Sequence, residues 1–284
     1  MRESYWLITT QKLEDKLWFR DEDDFKAGMN FVAILASTSS ICIMAFVLMS
    51  NHVHFVVECS REEAFTFIVK YKKTYSQYFA SKYSDKGLLH HNGLNFKELT
   101  IGDESFERAV AYVQMNPVAA NICLNPAGYP WGSGDSFFRA APPKGKRIGE
   151  LSLRARAKII HSRTLLPTHY LVDENGVVFP SSYINIRFVE SVFRSPGRMN
   201  YFLNNSSKAK LLKETPSFND QIILPAIKSL CISLFRKRNL FELTDIQQAE
   251  ILRQIRYRFS ADPNQIARVT GIPYKTVSQL MELI

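Results

Sequence analysis

The chain has 284 residues, 46% of them hydrophobic, and its 36 Lys and Arg exceed its 27 Asp and Glu to give a formal net charge of +9. These values exclude a mainly disordered chain, and the positive surplus favours a polyanion such as nucleic acid as partner, although an uninvolved basic surface remains an alternative. The four cysteines form no CxxC pair and no long apolar segment occurs, which argues against a zinc cluster, a disulfide framework or a membrane span and favours a soluble cytoplasmic protein.

The N-terminal part of the sequence alternates predicted strands and helices. Runs of β-branched and apolar residues typical of strands occur at YWLITT (5–10), ICIMAFVLM (41–49), HVHFVVEC (52–59) and NFKELTIG (95–102). Apolar residues at helical spacing occur at 21–37, 61–83 and 104–116, the last ending before Pro117. The order predicts an α+β domain with a ferredoxin-like antiparallel sheet, in which the first and third strands are central.

The pattern of apolar, glycine, proline and charged residues changes along the chain and predicts three regions. Residues 1–140 form the predicted α+β domain, and residues 141–235 form a linker and a middle region to which the sequence assigns no function. Within this middle region, residues 168–180 are typical of two short strands around a turn at Asn175 and Gly176. We expect residues 236–284 to form a mostly helical DNA-binding module.

The C-terminal module has the spacing of a helix-turn-helix. An amphipathic helix at 243–259, with Thr244 as its cap, precedes a shorter helix that begins at Asp262 and Pro263 and ends at Gly271. The second helix of the pair presents four polar residues outward, where they can reach base edges and phosphates: Tyr274, Lys275, Ser278 and Gln279.

Two histidines lie two places apart in MSNHVHFVVE (49–58). Residues i and i+2 of a strand face the same side, so His52 and His54 point together. Two imidazoles on a rigid central strand supply most of a divalent metal site, which needs a third ligand and open positions. The alternative is a pair of histidines on a solvent-facing edge strand, and the spacing alone does not decide between them.

A tyrosine and an asparagine in AVAYVQMNP (109–117) lie four residues apart on a predicted helix. Tyr112 and Asn116 therefore share a face. A metal that polarises an electrophile would allow the phenol to act as a nucleophile, and the Asn116 amide oxygen is a suitable additional ligand. The alternative is a core tyrosine near the end of a helix that Asn116 caps.

The predicted helix at 61–83 contains YKKTYSQYF, which mixes basic and aromatic residues. Lys72, Lys73 and Tyr75 suit backbone contact and stacking with unpaired nucleic acid strands. An ordinary solvated helix face is the alternative for each of them.

These motifs together resemble the IS200/IS605-type single-tyrosine transposases, and more closely the REP-associated tyrosine transposases. The resemblance covers about residues 5–138 and is carried, in order, by MSNHVHFVVE, YKKTYSQYFASKY, NFKELTIGDESF, YVQMNPVAANI and YPWGSGDSFF. Two positions depart from the family pattern: Ser50 replaces a proline, and Ala119 and Ala120 replace Arg-Ala, which could remove one phosphate contact.

The resemblance implies an HUH-type nuclease that acts on single-stranded, hairpin-forming DNA. It implies that His52 and His54 bind Mg²⁺ or Mn²⁺ with Asn116, and that Tyr112 forms a 5′-phosphotyrosine link that the released 3′-hydroxyl can attack again. The site could form within one chain or by exchange of helices between two, so a monomer and a homodimer are both compatible. The rival functions are a catalytically silent DNA-binding regulator that uses residues 236–284, and a plasmid-type replication initiator, which fits the Asn-Pro-Val and Tyr-Pro-Trp elements poorly.

Overall fold

The N-terminal domain is built on a four-stranded antiparallel sheet. The computed structural model describes residues 4–13, 16–87, 89, 93–161, 164–209 and 217–283. The sheet has the order β2-β3-β1-β4, so β1 and β3 are central, as the sequence predicts. Its strands are β1 (Ser4–Thr10), β2 (Cys42–Met49), β3 (His52–Cys59) and β4 (Leu94–Leu99).

Helices cover both faces of this sheet. Successive side chains of β3 point to opposite sides: His54 packs against Tyr112, whereas Phe55 packs against Tyr71. Tyr71 and Tyr112 therefore belong to helices on opposite faces. The helices of this part of the chain are α1 (Glu22–Thr38), α2 (Arg61–Tyr83), α3 (Ser105–Gln114) and α4 (Asn116–Ala119).

Side-chain caps fix where the two long helices begin. Asp21 accepts a hydrogen bond from the Asp24 amide at the start of α1, and Ser60 does the same for Glu63 at the start of α2. In both cases the side chain of the residue at the third helical position accepts a hydrogen bond from the backbone amide of the cap residue. These bonds satisfy backbone donors that the helix leaves unpaired.

Two predicted element boundaries differ in the structure. The helix predicted to run to residue 116 ends at Gln114, and Asn116 begins the separate short helix α4. Pro117 lies in the first turn of α4, where its missing amide hydrogen costs no helical hydrogen bond. At 168–180 only β6 (Leu171–Val172) forms; it pairs with β5 (Lys146–Arg147) and has a single bridge to Val178 across the turn.

Residues of the middle region pack onto the N-terminal domain. Helices α5 (Leu153–Ile160), α6 (Ile186–Phe193) and α7 (Pro196–Asn204) contribute buried side chains to the same apolar core as the sheet. The buried Asn30 side chain of α1 joins the two parts, because it donates to the carbonyl oxygens of Ile159 and Gly176 at 2.9 and 2.8 Å.

Later segments also cover the outer edge of β2. The Leu48 amide donates to the Trp131 carbonyl oxygen at 2.8 Å, and the Asn185 amide donates to that of Ile43 at 2.9 Å. Gly132 allows this close approach, because a Cβ there would lie 2.8 Å from the Phe46 carbonyl oxygen. Edge-strand hydrogen-bonding groups that would otherwise be free are thereby satisfied.

The last four helices form a second apolar cluster. They are α8 (Asp220–Phe235), α9 (Asp245–Phe259), α10 (Pro263–Thr270) and α11 (Tyr274–Glu282). Thr244 caps α9 and Asp262 caps α10, and Gly271 adopts a φ of +73° in the turn between α10 and α11, as the sequence predicts for these positions. Helix α8, from the middle region of the prediction, packs in this cluster.

The second cluster is attached to the N-terminal domain near its sheet. Gln221 donates through its side chain to the Phe19 carbonyl oxygen at 2.8 Å, and the Ser217 amide donates to the Asn121 carbonyl oxygen at 2.6 Å. Inside the cluster the buried Asp220 carboxylate accepts two hydrogen bonds from Arg268, at 2.6 and 3.0 Å. Within the described parts of the chain, no helix is both long and apolar enough to cross a membrane.

Candidate active site

The two histidines lie side by side on the central strand β3. His52 and His54 are 4% and 1% exposed, and their ring centroids are 4.8 Å apart with the rings nearly perpendicular. We call them the histidine pair. Their burial on a central strand excludes the alternative of a solvent-facing edge strand.

Hydrogen bonds orient both imidazole rings through their Nδ1 atoms. His54 Nδ1 lies 3.1 Å from Thr9 Oγ1 on the neighbouring strand β1, and His52 Nδ1 lies 2.8 Å from Asn51 Oδ1. The Asn51 oxygen accepts, so the His52 ring is protonated on Nδ1 and its Nε2 carries a lone pair. Both Nε2 atoms are buried and have no hydrogen-bond partner among the described residues. Buried polar atoms left in this way are rare, and an ion or a water molecule between the two rings would satisfy them.

The surroundings of the histidine pair favour neutral imidazoles. Burial, followed by the positive charge of Lys208, lowers the pKa of His54 from 6.5 to about 3, against a smaller opposing effect of the Asn116 side chain. Burial and the neighbouring His54 also hold the pKa of His52 well below its usual range. Neutral imidazoles are the form that binds metal ions.

Tyr112 and Asn116 lie beside the histidine pair. The Tyr112 ring on α3 meets the His54 ring edge-on, with centroids 5.4 Å apart. Asn116 is 4% exposed, and its Nδ2 donates to the Tyr112 carbonyl oxygen at 2.8 Å, which caps α3 as the alternative interpretation expects. This bond uses the amide nitrogen, and the Asn116 side chain also interacts with His54, so it lies within reach of the histidine pair.

The residues present fit a metal ion with few protein ligands. The Nε2 atoms of His52 and His54 and the Asn116 amide oxygen would hold it. No group of three His, Cys, Asp or Glu that could bind a metal occurs in the described part of the chain. A site built only from imidazole, thiolate and carboxylate ligands is therefore not available there. A two-imidazole, one-amide set leaves open coordination positions for a substrate.

We predict that the metal-free protein loses stability in acid because the histidine pair is buried in neutral form. The unfolded chain binds a proton near pH 6.5, whereas folded His54 binds one only near pH 3. The free energy of unfolding should therefore fall by about 1.4 kcal/mol per pH unit for this ring as pH decreases between those values, with a further fall from His52. Urea unfolding in EDTA across this range measures the slope; His54→Gln should make it shallower, and an unchanged slope would contradict the assignment.

The residues of α2 that were predicted to contact nucleic acid do not lie at the histidine pair. This helix packs on the opposite face of β3, where Lys73 is exposed and Lys72 is partly buried. The prediction for Tyr75 is wrong: its ring is fully buried and its hydroxyl donates to the Trp18 carbonyl oxygen. Tyr71, Tyr75 and Phe79 form a buried stripe at a spacing of four residues, so Tyr75 cannot stack on a base.

The predicted contacts on α11 do point outward. Tyr274, Lys275 and Gln279 are exposed and Ser278 is partly buried, whereas Val277 and Leu280 face the second cluster. The helix therefore presents a polar face to solvent.

Sequence reasoning missed Lys208 at the site. It follows α7, in the region to which no function was assigned, and its Nζ lies 4.9 Å from the centroid of the Tyr112 ring. The residue is 96 positions from Tyr112 and belongs to no motif, so only the fold reveals the contact.

Comparison with known proteins supports a transposase in the N-terminal domain. Residues 3–116 match the family model described as "Transposase IS200 like". This region is similar to the IS200-like transposases. The match includes the histidine pair, Tyr112 and Asn116, and ends before residue 117. No curated protein and no solved structure matches the chain significantly. The family suggests a DNA-processing enzyme, with DNA as the partner.

Proposed function

We propose that the protein is a metal-dependent endonuclease and strand transferase that acts on single-stranded, hairpin-forming DNA. The observation that carries this proposal is the packing of the Tyr112 ring against His54. The Nε2 atoms of His54 and His52 are buried and have no hydrogen-bond partner among the described residues. The IS200-like match over the same residues supports a transposase. Within that family, the motifs favour a relative of the REP-associated tyrosine transposases.

The proposed reaction is a transesterification at a DNA phosphate. The Tyr112 oxygen attacks phosphorus, the bond to the 3′-oxygen breaks, and the products are a 5′-phosphotyrosine and a free 3′-hydroxyl, which receives the proton lost by the phenol. Burial raises the pKa of Tyr112, so the hydroxyl is protonated near neutral pH before it attacks. Mg²⁺ or Mn²⁺, held by His52, His54 and Asn116, would supply charge stabilisation at the phosphate.

A covalent-adduct assay tests the proposal. The full chain is incubated with a pool of hairpin-bearing single-stranded oligonucleotides and Mn²⁺ or Mg²⁺, then run on a denaturing gel. We expect a slower-migrating protein–DNA adduct that EDTA prevents and that added metal restores. A matched pool of fully duplex DNA is the control. Absence of an adduct on every hairpin would overturn the proposal.

The exposed face of α11 favours a second activity, duplex DNA binding by residues 236–284. Helices α10 and α11 are joined by the short turn at Gly271, and the outward residues of α11 can donate to phosphates and base edges. A duplex-binding surface of this kind is compatible with a transposase that reads a flanking sequence and also with a catalytically silent regulator. The adduct assay separates these two possibilities.

We predict that Lys275→Ala weakens duplex binding several-fold and lowers the dependence of log K on log salt by about one, because one phosphate contact is lost. Gln279→Ala should instead change the preference among sequences. Fluorescence anisotropy with labelled duplexes measures both effects. Lys228→Ala, an exposed lysine on α8 outside the proposed module, is the matched control. Equal losses for Lys275 and Lys228 would show a general charge effect rather than a binding face.

A further inference from the structure

A half-buried lysine from outside the matched region lies against the proposed nucleophile. Lys208 occupies the turn after α7, where its amide donates to Ser206 Oγ at 3.3 Å. Its ammonium group lies over the Tyr112 ring at 4.9 Å from the centroid. Lys208 therefore lies on the same side of the histidine pair as Tyr112.

The charges with the largest effect on the histidine pair are positive. Lys208 and Lys12 affect both rings, and Arg268 affects His52. Asp220 neutralises Arg268 through two hydrogen bonds. In contrast, neither lysine forms an ion pair with a carboxylate in the portion of the chain that the structure describes, and Asp262 only partly offsets the charge of Lys12.

This excess of positive charge is costly in the absence of an anion. Partial burial and the nearby charge of Lys12 lower the pKa of Lys208, which shows that its charged form is incompletely compensated. A divalent cation held by two neutral imidazoles and an amide would add further positive charge. A phosphodiester placed between these groups would compensate them together.

We propose that Lys208 is a catalytic residue that binds the phosphate attacked by Tyr112. The proposal rests on the proposed function. The ammonium group donates to a non-bridging oxygen and stabilises the negative charge that develops there as the phenol oxygen bonds to phosphorus. The middle region of the chain thereby completes a site whose other members lie within residues 3–116.

The test compares Lys208→Met, which keeps the apolar stem, with Lys208→Arg, which keeps the charge. At saturating DNA, Lys208→Met should slow adduct formation about 100-fold, the usual effect of removing one charge-stabilising donor, and Lys208→Arg should restore much of the rate. Lys158→Met, an exposed lysine on α5, is the control and should react like the wild-type chain.

A second readout does not depend on activity. Binding of a single-stranded oligonucleotide in EDTA is measured against salt concentration. Lys208→Met should reduce the slope of log K against log salt by about 0.7, the value for one phosphate contact on a single strand. Lys158→Met should leave the slope unchanged.

The outcomes separate the two proposals. If the wild-type chain forms the adduct and Lys208→Met matches it in rate and slope, the role of Lys208 is wrong and the proposed function stands. A slower rate with an unchanged slope would also overturn phosphate binding, because Lys208 would then act only through the Tyr112 ring. If no variant forms an adduct but Lys208→Met alone reduces the slope, the phosphate site stands and the proposed function fails.

Discussion

Tyr112→Phe is expected to abolish the covalent protein–DNA adduct. The substitution removes only the hydroxyl, which forms no hydrogen bond to the residues that the structure describes, and it keeps the ring that packs against His54 and Lys208. Without the oxygen no phosphotyrosine can form, so the loss should be complete within detection. DNA affinity should change less than about twofold and stability by less than about 0.5 kcal/mol.

The control for this variant is Tyr257→Phe. Tyr257 is 85% exposed on α9, outside the proposed site, and its variant should form the adduct at the wild-type rate. Gel detection of the adduct, together with anisotropy for binding, measures both properties. Persistence of the adduct in Tyr112→Phe would show that another residue is the nucleophile.

His54→Gln should reduce adduct formation by at least about 100-fold at a metal concentration that saturates the wild-type chain, because a metal ligand is worth several kcal/mol of charge stabilisation at the phosphate. His52→Gln should act in the same direction. Thermal unfolding of each variant checks that the loss of activity is not loss of folding. The rate is measured over a titration of Mn²⁺.

A graded control for the histidine pair is Thr9→Val. It removes the hydroxyl that lies 3.1 Å from His54 Nδ1 without removing a ligand. Loss of such an orienting bond typically lowers metal affinity about 10–100-fold, so excess Mn²⁺ should restore the rate of this variant but not that of His54→Gln. If both variants follow the wild-type metal dependence, the metal-binding role of His54 is wrong.

The arrangement around β3 was predictable because it follows from local periodicity. Side chains two apart on a strand must share a face, and a two-residue turn forces the antiparallel pairing of β2 with β3. Those two rules place His52 beside His54 from sequence alone. The helix that carries Tyr112 was predictable from its apolar spacing, whereas its role beside the histidine pair came with the family resemblance. The structure brings the Tyr112 ring to 5.4 Å from that of His54.

The misassignment of Tyr75 has a physical cause. Tyrosine combines a large apolar ring with one polar atom, so the same residue serves a buried core or a DNA-facing surface. The neighbours Tyr71 and Phe79, each four residues away, indicate a buried stripe, and a single carbonyl oxygen, that of Trp18, satisfies the hydroxyl. Lys208 could not be predicted, because a contact across 96 positions depends on how α7 packs.

The covered edge of β2 has a consequence for how this chain can be shortened. The hydrogen bonds that protect this edge come from residues near 131 and 185, beyond the last residue of the family match. A chain that stopped at residue 116 would expose an apolar strand with unsatisfied backbone groups, a template for self-association. The segment that matches the family model is therefore smaller than the unit in which the edge of the sheet is covered, and the residues near 131 and 185 are structural parts of that unit.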